Sequence, residues 1–406
     1  MKKEAKHELL LILVLFGTLF LASVDNQLLI PLLPTLASEL SKTMAQMGWL
    51  FSIYALSAAV FNLFFGPLTD RYGRVPFLRF GLLLFLGSAL LTAQSKTYSD
   101  LLWLRAGTGL SAGLLSTCTA SFIGDYFPYE QRGRIMGFVL SSYFAALIFG
   151  VPLSSLIAQN WGWRTVFLLS SAIAGILFAG SWLFVPLGSR RQRRTLGQVW
   201  NSYSMLTRNR TTGSALLVSA CVSGGTLAFL TFISGYLNDE FGLDAVAISA
   251  VFLIAGLAAV LASPVSGLLS DRWTKRKVFL LSNTILALPL LLLVRFEWGV
   301  FLFITLFLIS LLIAFRQTSL QTLQTQLISF ERRGSFLALR NCSSQLGISG
   351  SVFLAGILYS EQGYAAVTCL AAVLTVIGSL LLFFLISEPE GDKEAEQKIG
   401  SDQNEP

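Results

Sequence analysis

GPLTDRYGRVPFL, residues 66–78, ends a long apolar run, and the chain writes it twice. The second copy, GLLSDRWTKRKVF at 267–279, stands 201 positions later and also ends an apolar run. Gly66, Leu68, Asp70 and Arg71 return as Gly267, Leu269, Asp271 and Arg272. Thr69 and Ser270, Tyr72 and Trp273, and Arg74 and Lys275 differ conservatively. Glu130-Gln131-Arg132-Gly133 and Glu331-Arg332-Arg333-Gly334 keep the same spacing. Two equivalent hydrophobic halves can enclose a site between them and rock around it.

Composition says what solvent these halves meet. Of 406 residues, 54% are hydrophobic and 13% charged. A water-soluble fold this apolar could not cover its own surface, so the bilayer is the solvent. The net charge of +7 comes from residues at the ends of apolar runs, with no basic domain, which excludes a nucleic-acid partner. Cys118, Cys221, Cys342 and Cys369 lie in or beside apolar segments without paired spacing, so neither disulfides nor a metal site is expected. The one histidine, His7, precedes the first apolar run, which argues against zinc chemistry and a Ser-His-Asp triad. No G-x-x-x-x-G-K-[ST] loop occurs, so direct ATP coupling is not expected. The expectation is a protein that is not an enzyme and carries no cofactor.

About 20 apolar residues cross a hydrocarbon core as a helix. Twelve such segments read at 9–31, 46–66, 76–94, 99–124, 134–158, 163–187, 213–236, 246–270, 277–296, 299–323, 334–360 and 364–387. Lys2, Lys3 and Lys6 precede a first stretch too long for a cleavable leader, so it reads as a spanning helix. The fold class is therefore an all-α membrane protein of two pseudo-symmetric six-helix bundles. The expected division is a first bundle over 1–187, a cytoplasmic linker over 188–212, a second bundle over 213–387 and a disordered acidic tail over 388–406. With the N-terminus inside, twenty-three Lys and Arg fall on the inner side and four outside: Lys42, Lys96, Arg164 and Arg295. That asymmetry predicts a multi-pass protein of the cell membrane with both termini cytoplasmic. The arginines of the linker then meet anionic headgroups.

The repeated loop within a 6+6 pattern resembles the major facilitator superfamily. Its loop pattern, G-x-L-x-D-R-x-G-R-[KR], is met by Gly66, Leu68, Asp70, Arg71, Gly73 and Arg74 and departs at Val75. The chain is most similar to the drug–proton antiporter and sugar-efflux branch. LLWLRAGTGLSAG (101–113) resembles that branch's helix-4 motif through Arg105, Gly109 and Gly113, with Thr108 where Gln is usual. GVPLSSLIAQNWGWRTVF (150–167) resembles its helix-5 segment, with Ser154 and Ser155 where glycines are usual. YLNDEFGLDAVAISAVFLIAGL (236–257) resembles the loop leading into helix 8. The resemblance implies a central cavity lined in part by helices 1 and 4, and a chain that works as a monomer.

Charge inside a bilayer costs at least ~2.5–3.5 kcal/mol, so it marks function by default. Asp25 lies ~24 Å along the first segment from Leu9, about 6 Å short of the outer face of a ~30 Å core. Arg105 enters from the outside to about 6–9 Å by the same rise. The matched depths predict a pair. It reads either as the proton-coupling site, where cargo and proton compete for the ionised Asp25, or as a structural lock between helices 1 and 4. Arg316, in the tenth segment, has no acid nearby in sequence. Three readings stay open for it: snorkelling to the interface, contact with an anionic group of the substrate, or a gate contact to the first half. Gln317, Gln321 and Gln324 form one polar face, and Asn26 and Tyr54 are further candidates. All five serve either as substrate contacts or as interhelical hydrogen bonds.

The loop motif reads as a gate. Gly66 admits close helix approach, and Asp70 meets the positive start of a neighbouring helix, helix 11 by the resemblance. Arg71, Gly73, Arg74, Asp125 and Arg134, with Asp271 and Arg272 of the second copy, complete a charge network expected to hold the outward-facing state. The other reading gives Arg71 and Arg74 a purely topological role. The expected function is secondary active transport, most simply proton-coupled efflux of small amphipathic or drug-like compounds. Expected partners are a small-molecule substrate, protons and the lipid bilayer. Uptake of a small metabolite by a symporter or facilitator, or lysolipid transport, is the alternative.

Overall fold

The computed structural model describes residues 2–187, 196–328 and 333–386, and every regular element among them is helical. The tail expected over 388–406 lies outside the described residues. The first bundle starts with α1 (Lys2–Glu39), α2 (Met44–Tyr72), α3 (Arg74–Gln94) and α4 (Tyr98–Tyr126). Its fifth member is broken into α5 (Tyr129–Leu140), α6 (Ser142–Ala145), a π-turn at Ala146–Gly150 and α7 (Val151–Trp161). α8 (Trp163–Phe184) completes it, and α9 (Leu196–Arg208) lies in the linker. The second bundle is α10 (Arg210–Phe241), α11 (Ala245–Arg272), α12 (Lys275–Leu292), α13 (Val300–Gln326), α14 (Arg333–Gln362) and α15 (Tyr364–Leu385).

Eleven helices among the described residues are long and apolar enough to cross a membrane. The fourth expected span, 99–124, corresponds to α4, whose 29 residues carry Asp100, Arg105 and Asp125 and many Gly, Ser and Thr. Two expectations need correction. The first helix does not stop at 31 but runs through Pro31 and Pro34 to Glu39. Prolines persist in spanning helices because packed neighbours resatisfy the freed carbonyls. The fifth span is not one continuous helix, and Pro152 stands two residues beyond its π-turn.

Sequence chemistry sets the helix ends. Thr43 and Thr97 start α2 and α4 by reciprocal caps with Gln46 and Asp100, satisfying N–H groups that a helix start leaves unpaired. Gly162 (φ 82°) joins α7 to α8, and Gly363 (φ 75°), 201 positions on, joins α14 to α15. Both turns need a backbone that side-chain-bearing residues rarely adopt. The repeat also reaches side chains. Arg79 on α3 donates to Ser181 O and Val185 O at the end of α8, at 3.0 and 3.1 Å, and lies over Trp182. Arg276 on α12 donates to Phe383 O at the end of α15, at 2.6 Å, and lies over the Phe383 ring. Each guanidinium thus tethers a helix C-terminus, where carbonyls lack intrahelical donors.

The cores show how the bundles meet. At the end away from the linker, one buried apolar cluster runs through both, joining Leu28, Leu32 and Met47 to Phe229, Phe232 and Ile233. At the linker end the clusters separate: Leu11, Phe85 and Phe122 belong to one, Leu216, Phe279 and Phe336 to the other. From α2, Leu63 packs against the second of these and Phe64 lies against Trp200 of α9. The tryptophans gather toward the two ends of the spans, as in the aromatic belts of membrane proteins.

Candidate functional site

Gly109 and Gly113 let α4 lie directly on α2. A Cβ on Gly109 would stand 2.2 Å from Tyr54 O, and one on Gly113 3.1 Å from Ala58 O. That approach carries Arg105, one turn before Gly109, into the bundle interior. There it meets Asp25 of α1 through two bonds, Nη1–H to Oδ2 at 3.0 Å and Nη2–H to Oδ1 at 2.9 Å. Asp25 is fully buried and Arg105 is 3% exposed. The forked geometry is the strongest that arginine and carboxylate make. The Arg105 guanidinium also lies 5.9 Å from the Tyr54 ring and 5.6 Å from the Phe167 ring.

Because α1 continues to Glu39, Asp25 stands fourteen residues, about 21 Å, from that helix end. Among the described residues it is the only carboxylate that is not close to the end of a helix or in a connecting turn. Tyr54 is brought to the pair; Asn26, next to Asp25, is half-buried.

Arg316 is not a snorkelling residue. It is 1% exposed, and its guanidinium turns inward to neutral acceptors. Nη1 donates to Asn283 Oδ1 at 2.8 Å and Thr375 Oγ1 at 3.2 Å. Nη2 donates to Val222 O at 3.3 Å and to Thr226 Oγ1. Asn283 Nδ2 in turn donates to Thr375 O and Ser379 Oγ. One side chain thus ties α10, α12, α13 and α15 together. Thr226 follows Asp25 by 201 positions, the offset of the loop repeat. The second bundle keeps a buried guanidinium against its α1-equivalent helix and replaces the acid with a hydroxyl. The polar face predicted on α13 divides: Gln324 is buried and donates to Ala215 O and Ser219 Oγ, whereas Gln317 and Gln321 are exposed.

In the loop motif, Arg74 and Asp125 form an ion pair at 2.5 Å, tying the start of α3 to the end of α4. Gly73 has φ 96°, which explains a glycine at the α2–α3 junction. The second copy solves the same turn differently, with Thr274 capping α12 through Lys277 N at 3.3 Å. Arg134 and Arg272 are exposed, and Arg134 joins no ion pair among the described residues. The environments of Gly66, Asp70, Arg71 and Asp271 lie outside what the structure describes.

Two halves, twelve spans and a charged loop between the second and third find their match in one sequence family. The profile of the Major Facilitator Superfamily covers residues 15–259 and 215–401. The chain belongs to the Major Facilitator Superfamily. Among relatives, the Bacillus subtilis protein described as "Uncharacterized MFS-type transporter YwfA" is 28% identical across 94% of this chain and 93% of its own. "Multidrug resistance protein 2" of the same organism is 25% identical over 64% of this chain and 66% of its own. The crystal structure of a D-xylose-proton symporter superposes with a TM-score of 0.78 at 14% identity, covering 94% of this chain and 98% of that one.

A Major Facilitator Superfamily member is an integral membrane transporter of small molecules, not an enzyme. The Asp25–Arg105 pair fastens α1 to α4 inside the bundle, and the Arg74–Asp125 pair braces two helix ends. Reading the sequence missed Thr226, Asn283, Thr375 and Phe167. Only Thr226 left a trace there, through the 201-residue offset from Asp25.

Proposed function

We propose that the chain is a proton-coupled exporter of small amphipathic or drug-like compounds, resident as a monomer in the cell membrane with both termini cytoplasmic. The observation that carries this reading is Asp25, the one carboxylate among the described residues away from a helix end, fully buried and held bidentate by Arg105. A proton on Asp25 cancels the acceptor charge and loosens the guanidinium. Cargo that needs the ionised pair then competes with the proton, and exchange follows by linkage. The similarity to a multidrug resistance protein supports efflux over uptake. The basic residues concentrated on one side support the orientation. With the linker end cytoplasmic, the joined far-end core corresponds to a transporter closed outside. The Arg74–Asp125 pair belongs to the cytoplasmic gate, and Asn26, Tyr54, Gln317 and Gln321 are the polar anchors offered to cargo. Arg316 serves an anionic group of the cargo only in a conformation that releases it from its four acceptors.

The test is flux of a fluorescent amphipathic cation in proteoliposomes under an imposed pH gradient. Asp25→Asn is expected to fold yet bind dye weakly and lose proton-driven flux; undiminished flux ends this assignment. Inverted vesicles acidified inside should accumulate the dye, and depletion instead would establish uptake.

A further inference from the structure

We infer that Phe167 is a positioning residue for Arg105 and, through it, for the Asp25 carboxyl; this rests on the coupling role proposed for that pair. The guanidinium is gripped by two rings from two different helices, Tyr54 of α2 and Phe167 of α8, at 5.9 and 5.6 Å. Phe167 is fully buried and is itself held edge-on by Trp163 at 5.9 Å. The Trp163 indole N–H donates to Glu39 Oε2 at 2.6 Å, and Arg164 pairs with Glu39 Oε1 at 2.6 Å while lying over the Trp163 ring. Glu39 ends the same helix that carries Asp25. The contacts form a closed circuit: α1 presents the acid, α4 the arginine, and α8 braces the arginine while fastened to the end of α1.

The circuit matters when Asp25 takes a proton. The two charge-assisted bonds weaken, and the guanidinium must remain in an apolar interior. Ring faces still attract it, because the ring quadrupole acts on a cation whatever the state of the carboxyl. Phe167 therefore keeps Arg105 within reach of the carboxylate that must re-form. An aliphatic residue of similar bulk fills the space without that attraction. Few other charges face the pair. Asp100, one turn above Arg105, is turned away to the N–H groups of Lys96 and Thr97. The other charged residues of α2, α3 and α5 lie at or near the linker-side ends of those helices.

The full-length protein in proteoliposomes is tested as wild type, Phe167→Leu, Phe167→Tyr and Asp25→Asn, with dye flux measured against pH. Phe167→Leu is expected to cut flux about three- to thirty-fold, the worth of a desolvated cation–ring contact. Its pH profile should move, because the carboxyl then faces a guanidinium that is no longer held in place. Phe167→Tyr should restore both rate and profile. A Phe167→Leu profile unmoved from wild type, at any rate, overturns the positioning role and leaves Phe167 as packing. Should the leucine variant fail to accumulate, Phe167→Met carries the same comparison. The arms separate two failures. If Asp25→Asn keeps proton-driven flux, the coupling reading falls. If Asp25→Asn abolishes it while Phe167→Leu leaves the profile in place, only the positioning role falls.

Discussion

Asp25, Arg105 and Arg316 show what a single residue can and cannot reveal before it folds. The first two were legible because each is a charge in an apolar run, and counting rise per residue put them at one depth. Arg316 was legible as an anomaly but not as a structure, because its acceptors come from three other helices and none is charged. Removing one partner of a buried ion pair costs about 3–5 kcal/mol. Arg105→Ala should therefore lower the melting temperature well below that of Arg105→Lys, which keeps the charge; thermal unfolding in detergent measures both. In the second bundle the loss falls on neutral groups. Asn283→Ala should cost about 1–3 kcal/mol by stripping an acceptor from a buried guanidinium. Arg316→Met, which leaves Asn283 Oδ1, Thr375 Oγ1, Val222 O and Thr226 Oγ1 without their donor, should melt below wild type.

Elements were legible wherever hydrophobic length alone decides them, which covers most of the spans. The fifth span escaped because a π-turn leaves no periodic mark. Its reason lies in packing: a Cβ on Gly150 would stand 2.4 Å from Val24 Cγ2, and one on Gly256 2.8 Å from Ile148 Cγ1. The turn is wedged between α1, beside Asp25, and α11 of the other bundle. The helix α9 went unread inside the polar linker although Val199, Tyr203 and Leu206 stand at i, i+4 and i+7, a helical stripe that the structure sets against the second bundle. Close helix approach yields its own prediction. Gly109→Ala should push α4 off α2 and cost about 1–3 kcal/mol by overpacking. The melting temperature should fall, and transport with it, since Arg105 is displaced.

At the scale of the molecule, the duplicated loop announced two halves, but nothing in it said which ends touch. The structure joins them away from the linker. A Cβ on Gly48 would lie 2.5 Å from Phe232 Cζ and one on Gly356 3.1 Å from Ala45 O, and Gln159 donates to Asp244 across the seam at 2.9 Å. A cysteine pair at Ala45 and Gly356, in a background lacking the four native cysteines, should cross-link readily and arrest transport until reduced. A gel shift with a parallel flux assay checks it. The hydroxyl of Thr226 has a thermodynamic meaning of its own. On the coupling proposed for Asp25, a chain with one deep acid among its described residues would trade one hydrogen ion per stroke, and the steepest cargo gradient it could sustain would scale with the proton gradient to the first power. Installing a carboxylate opposite Arg316 would give the second half a titratable partner, and the sustainable gradient would then grow as the square.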